Sequence, residues 1–320
     1  MKKATRAWLI AAASLVLIGC ILFAGAMSAI AWDFSRLSTV DYESNAHEIA
    51  EPFRDIALST DTANIAFAPS EDGKCRVECY EEENARHSVA VEGDTLAIQR
   101  IDARPWYDRI GLHFGSPRIT IYLPAAEYGA LSIRESTGSV EIPKDFAFAS
   151  ADISLTTGDV DFRASAAESI QIKASTGAIR VENVSAGSLE LSTTTGAATI
   201  SGATCRGDIT ISVSTGKANL TDISCRSVIS TGTTGSIALD RVIAESAISI
   251  ERSTGNVRFS GCDAAELHIK TSTGNVTGSL LTDKIFAIDA GTGRVDVPNT
   301  TAGGKCEIAT RTGDVKMEIE

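Results

Sequence analysis

The residues that decide the fold run from Leu131 to Ile200: LSIRESTGSVEIPKDFAFASADISLTTGDVDFRASAAESIQIKASTGAIRVENVSAGSLELSTTTGAATI. A Thr-Gly pair returns four times within them and keeps returning to the end of the chain. The glycines are Gly138, Gly158, Gly177, Gly196, Gly216, Gly235, Gly255, Gly274, Gly293 and Gly313, spaced by 19 or 20 residues, with a threonine before each. A period in this range marks a solenoid, in which each repeat forms one coil.

Aligned on the glycine, the positions seven and five before it and two and four after it are apolar in 38 of 40 cases, so they form the core. Leu131, Ile133, Val140 and Ile142 show the pattern in the first unit, and Ile248, Ile250, Val257 and Phe259 in the seventh. Ser230 and Gly278 are the exceptions. The positions between are mostly polar. Alternation with period two means strands with one buried face, and enrichment in Ile, Val and Thr agrees. The apolar offsets are odd before the glycine and even after it. A straight strand cannot change parity, because a slip of one residue turns every side chain to the other face. The chain therefore bends at Thr-Gly, where glycine supplies a backbone angle closed to residues with a Cβ. A softer column seven residues past the glycine (Val184, Ala203, Ile223, Val242, Leu281) predicts a third inward stretch.

The expected fold is all-β: a right-handed parallel β-helix, or β-solenoid, of about ten coils of 19–20 residues over 131–320. Coils stacked about 4.8 Å apart make a rod about 48 Å long. The right hand follows the general rule for parallel crossovers. Asp314–Glu320 is expected to be the open edge of the last coil, with Lys316, Glu318 and Glu320 projecting outward and discouraging association. The body is accordingly expected to be monomeric.

Upstream, Ile56, Leu58, Ile65 and Phe67 keep the phase around Thr62-Ala63. Strand-like runs follow at 74–80, 87–91, 95–100 and 118–123, separated by Glu71-Asp72-Gly73 and Glu92-Gly93-Asp94. Residues 53–130 read as an irregular β-rich cap, and 33–52 as a polar juxtamembrane spacer.

Residues 7–32 carry no charge, and Lys2, Lys3 and Arg6 precede them. The run from Trp8 to Trp32 is long enough to span a hydrocarbon core of about 30 Å. Indoles sit at both its ends, where they favour the headgroup level, and the basic flank places residues 1–7 in the cytoplasm. The reading is a single transmembrane signal anchor over 8–32 with an extracytoplasmic body, at the cell membrane. Two rivals remain: cleavage after Ala29-Ile30-Ala31, and lipidation of Cys20 in Leu17-Ile18-Gly19-Cys20. All three put the body outside.

The whole chain sums to −12, and residues 33–320, with 26 basic against 41 acidic side chains, to −15. A surface this acidic excludes nucleic acid as a partner.

An N-terminal membrane segment is followed by RDIALSTDTANIAFAPSEDGKCRVECY (54–80), DTLAIQR (94–100) and ITIYLPAAEYGALSIRESTGSVEI (119–142), then by the STG repeats. This order resembles a bacterial domain-of-unknown-function family labelled "putative adhesin", over most of 50–320. The resemblance implies a β-solenoid at the cell envelope and brings no catalytic residues.

Candidate sites are few. The Thr column reads as a hydroxyl ladder satisfying backbone groups at each corner, with a ligand platform for ice or glycans as the rival. Trp106, Tyr107 and Phe114 concentrate aromatics in 101–117, as a plug for the rod's end or a partner contact. Cys205 and Cys225, each nine residues past its glycine in adjacent coils, are within reach of a disulfide or are buried thiols. Asp159 and Asp314 share the position after the glycine but lie about 38 Å apart. His47, His87, His113 and His268 show no metal-ligand spacing, and no nucleophile motif appears. No cofactor or metal is expected. The sequence points to a non-enzymatic envelope module that recognises a protein or surface polymer. The alternatives are a regulatory component binding a membrane partner, and a polysaccharide-active enzyme.

Overall fold

The computed structural model describes residues 3–29, 31–32, 41–102 and 115–320. Helix Lys3–Ala29 contains an apolar span, Trp8–Ala29, long enough to cross a membrane. The helix stops short of Trp32. Ala31 and Trp32 turn left-handed (φ 55° and 60°), and the Trp32 amide donates back to the Met27 carbonyl at 2.8 Å. Such a reversal satisfies carbonyls that a helix end leaves free.

The body is a β-solenoid of about ten turns. Long strands ending at Thr-Gly (Glu127–Thr137, Ala147–Thr157, Ser165–Thr176, Ser185–Thr195 and onward) stack in parallel on one face. Short strands starting two residues past the glycine (Val140–Ile142, Val160–Phe162, Ile179–Glu182) stack on the second. The register joins like to like: Leu131 to Ala151, Ala151 to Ile170, Ile170 to Leu189. The third inward stretch is present at Val184, Ala203, Ile223 and Val242, all buried. Leu281 departs from it at 43% exposure, because the eighth coil shifts register and Leu280 takes the inward place beside Cys262.

The two exceptions in the core columns have steric causes. Gly278 sits in register between Phe259 and Met317, and a Cβ there would lie 1.9 Å from the Phe259 carbonyl oxygen. Ser230 belongs with a buried arginine. Arg252, 2% exposed, reaches across the preceding coil to donate to Ser230 Oγ at 2.8 Å and to the Val213 carbonyl at 3.3 Å. Gly232 clears its path, since a Cβ there would lie 1.9 Å from the guanidinium. Ser230, Gly232 and Arg252 are one packing unit spread over two coils.

Both ends of the rod depart from chain order. At the C-terminal end, strand Gly304–Thr312 pairs with Val257–Thr273 on one side and Lys284–Ala290 on the other. Strand Val315–Ile319 likewise lies between Val276–Leu280 and Val295–Asp296. The Gly313 coil is thus inserted between the Gly274 and Gly293 coils. This overturns the expectation that Asp314–Glu320 forms the open edge: Val315 and Met317 are buried, while Val295 in the outermost coil is 46% exposed. The returning chain squeezes in at Gly303-Gly304. A Cβ on Gly303 would lie 1.8 Å from the Asp283 carbonyl oxygen, and one on Gly304 would lie 1.9 Å from that of Ala265.

The N-terminal end repeats the device. Strands Asp55–Thr62 and Asn64–Pro69 form a coil around Thr62-Ala63, stacked on Glu127–Thr137 and Val140–Ile142. On its other side lie Thr95–Asp102 and Arg118–Leu123, which come later in the chain. Much of 53–130 is therefore regular coil rather than irregular cap. Among the described residues of this stretch, Cys75–Glu82 and Ala85–Glu92 are the strands added antiparallel. Residues 42–49, in the stretch read as a spacer, form strand Tyr42–Ile49, paired antiparallel with Cys75–Glu82. Its alternating half-buried Glu43, Asn45, His47 and Ile49 explain why it reads as polar.

Candidate functional site

Every corner threonine from Thr137 to Thr312 is exposed. In the first eight repeats a second hydroxyl precedes it: Ser136, Thr156, Ser175, Thr194, Ser214, Thr233, Ser253 and Ser272. Among the described residues none of these hydroxyls bonds to the backbone. That work falls elsewhere. Glycine amides donate to threonine carbonyls of the next coil, as Gly138 to Thr157 at 3.0 Å. The residue after the glycine also contributes: Asp159 Oδ1 accepts the Ala178 amide at 2.7 Å, and Asp314 Oδ1 accepts that of Arg294 at 2.8 Å. Buried threonines three before the glycine donate inward, as Thr310 to the Gly274 carbonyl at 3.1 Å. The expectation that the corner threonines satisfy backbone groups is therefore corrected; their hydroxyls face solvent.

The long-strand face continues this surface. Ser192, Ser212 and Thr231 stand in register on three successive coils, two residues before Thr194, Ser214 and Thr233. The result is a three-coil patch of hydroxyls, about 4.8 Å apart between coils and about 6.6 Å apart along a strand, bordered in register by Lys173 and Glu251. At the beginnings of the long strands, a groove of about 640 Å³ has an alanine floor including Ala147, Ala166 and Ala186, and is flanked by Arg54 and Arg206.

The second unusual region lies inside the N-terminal end. Thr60, Glu81, His87 and Glu135 are buried there at 1–6% exposure. His87 Nδ1 meets Glu81 Oε2 at 2.7 Å, and His87 Nε2 meets the Thr60 hydroxyl at 2.9 Å. Asn45 donates to Glu81 Oε1 at 2.8 Å. Burial, the largest influence on His87, lowers its pKa and favours the neutral ring. Cys79 joins the group: Cys79, Glu81 and His87 each place one ligand atom within 4.8 Å of the others. Linear spacing conceals this set, because a hairpin brings His87 back beside the other two.

Glu135 occupies the position three before the glycine, the continuation of the odd inward columns. Parity alone would have placed it inside. Its Oε1 accepts the Ala63 and Thr137 amides at 3.2 and 3.3 Å, while Oε2 is buried without a partner. Burial pushes its carboxyl up to about 7. A carboxyl raised in the folded state favours the protonated fold, so its contribution is complete below the unfolded pKa and is lost as pH rises through about 7. Glu135→Gln removes that titration. The variant should gain on the parent between about pH 5 and about pH 8 by on the order of 1–3 kcal/mol, read from denaturant midpoints. A constant difference across that range would show that Glu135 ionises normally.

Trp106, Tyr107 and Phe114 lie outside the described residues. The described strands on either side of them in the chain are Thr95–Asp102 and Arg118–Leu123. Cys205 and Cys225 sit one coil apart, since Thr204 and Ser224 are in register, and both are free buried thiols. Burial pushes them up to about 11 and about 12, far from a reactive thiolate.

The model of the Toastrack domain DUF4097 matches residues 53–213 and 204–320. The chain belongs to the Toastrack family. Its matches begin where the first coil begins, at the start of Asp55–Thr62, and run to the inserted C-terminal strands. Among solved structures, the chain is similar to a "putative adhesin" from Parabacteroides distasonis, at 11% identity and TM-score 0.42, over 88% of this chain and 98% of that one. It is also similar to a "putative adhesin" from Parabacteroides merdae, at 10% identity and TM-score 0.39, over 88% and 98%. A "putative lipid binding protein" from Parabacteroides distasonis matches at 14% identity and TM-score 0.34, over 88% and 98%. No curated protein matches the chain.

Proposed function

We propose that this Toastrack chain is a non-enzymatic, membrane-anchored envelope module whose long-strand face binds a neutral surface polymer. The anchor is the apolar helix, with the solenoid outside the membrane. The observation that carries the reading is the hydroxyl carpet of Ser192, Thr194, Ser212, Ser214, Thr231 and Thr233: in register, facing outward and free of backbone duties. Evenly spaced donors and acceptors suit a ligand that itself repeats. The charge of the body selects against polyanions, and the six hydroxyls, which carry no charge themselves, suit a neutral glycan.

The test is co-sedimentation of the detergent-solubilised chain with insoluble neutral and anionic glycans. A Thr194→Glu, Thr233→Glu double variant changes only the surface, where stability effects stay within about 0.5 kcal/mol per site. It should lose about tenfold in affinity for the neutral glycan, the equivalent of about 1.4 kcal/mol. Retention on anionic glycans alone, or equal retention of parent and variant, would overturn the reading.

A further inference from the structure

We propose that Cys79, Glu81 and His87 form a binding site for a divalent transition metal of the zinc class, built into the N-terminal end of the solenoid. Their ligand atoms lie within 4.8 Å of one another, and the three residues are 1%, 1% and 6% exposed. Thiolate, carboxylate and imidazole are the donor set that zinc takes. Among the described residues no other three such donors converge in this way.

The surroundings orient the donors as the outer partners of a metal site do. Asn45 holds Glu81 Oε1 at 2.8 Å, which leaves Oε2 pointing at the imidazole. The Thr60 hydroxyl holds His87 Nε2 at 2.9 Å, which leaves Nδ1 on the side of Glu81 and Cys79. Both outer contacts come from other strands, Tyr42–Ile49 and Asp55–Thr62. An ion here ties the Cys75–Glu82 and Ala85–Glu92 hairpin to the strand that covers it and to the coil beneath. The three protein donors leave the fourth position of a tetrahedral ion to water.

The protons balance simply. With no metal, Nδ1–H donates to Glu81 and Nε2 accepts from Thr60. When the metal takes Nδ1, the ring proton resides on Nε2 and is donated to the Thr60 oxygen, so the imidazole stays neutral. Cys79 gives up its thiol proton to solvent as the metal–sulfur bond forms, one proton per ion.

The test uses the full chain in detergent, reduced, stripped with chelator and titrated with Co²⁺. One equivalent should bind, with a near-ultraviolet thiolate-to-cobalt charge-transfer band and the visible bands of a four-coordinate ion. Zn²⁺ should abolish both, and Mg²⁺ neither. Cys79→Ser, shown folded by circular dichroism, should lose the charge-transfer band. Asn45→Ala touches no ligand atom; it should keep the band and bind about tenfold more weakly. If Cys79→Ser does not fold, the parent spectrum and Asn45→Ala decide. A parent without the thiolate band, a band that survives in folded Cys79→Ser, or Asn45→Ala binding as tightly as the parent overturns the proposal.

Discussion

Gly216→Ala is expected to destabilise the rod by about 3–5 kcal/mol, although it adds a single methyl group. The residue has φ +144°, and its Cβ would lie 1.6 Å from the carbonyl oxygen of Gly196 directly below. Two costs combine: a backbone angle that a side chain resists, and a clash with backbone that cannot rotate aside. The neighbouring coil offers no relief, because Gly235 stands over Gly216 in the same way, at 1.7 Å. Gly73→Ala separates the two costs. Gly73 has φ +72° but open space around its Cβ, so about 1 kcal/mol is expected there. Solenoid coils interact mainly with their neighbours. Hydrogen exchange should therefore show lost protection centred on the Gly196, Gly216 and Gly235 coils. Equal costs for the two variants would mean that the corner relaxes freely and that the stacked glycines are not required.

A cross-linking pair distinguishes the inserted order of the C-terminal coils from chain order, with near-complete reaction expected in one case and none in the other. Lys316 is in register with Thr277 on one side and Asp296 on the other. Thr277→Cys with Lys316→Cys places two cysteines on adjacent strands, about 4.8 Å apart and inside the range a disulfide accepts. Thr277→Cys with Asp296→Cys spans two strand spacings, about 9.6 Å, beyond that range. Oxidation should close the first pair and leave the second open, as read by mass spectrometry of peptides. The opposite result would mean that the Gly293 coil lies directly on the Gly274 coil, and the inserted topology would be wrong.

The columns at Leu131, Ile133, Val140 and Ile142 and their equivalents were legible in the sequence because alternation and parity are local. So was the corner, since a change of parity demands a bend and the Thr-Gly pair recurs at each one. Even the coil at Thr62-Ala63, without its glycine, kept the phase. Other positions carried a signal that local pattern could not assign. Ser230 reads as a lapse in a core column until Arg252, 22 residues later, lies across it. At Gly303-Gly304 the chain threads between Asp283 and Ala265, a close approach between coils that no local pattern marks. Cys79, Glu81 and His87 have no telling spacing because a hairpin, not a repeat, brings them together.

The sequence by itself determined that this protein is a β-solenoid with an apolar helix before it, where the chain bends, and which side chains face inward. These follow from strand periodicity and from glycine's conformational freedom, which act over a few residues. Only the tertiary structure decided the order of the coils at both ends. Consecutive repeats present nearly identical edges, so the Gly274 coil can pair as well with residues 284–296, next in the chain, as with residues 304–319. The choice between them is made by the packing of the whole end, and no single repeat contains it. The same holds for the hydroxyls of the corner. Their pattern is plain in the sequence, but that they face solvent, while Asp159, Asp314 and Thr310 serve the backbone, depends on contacts between coils.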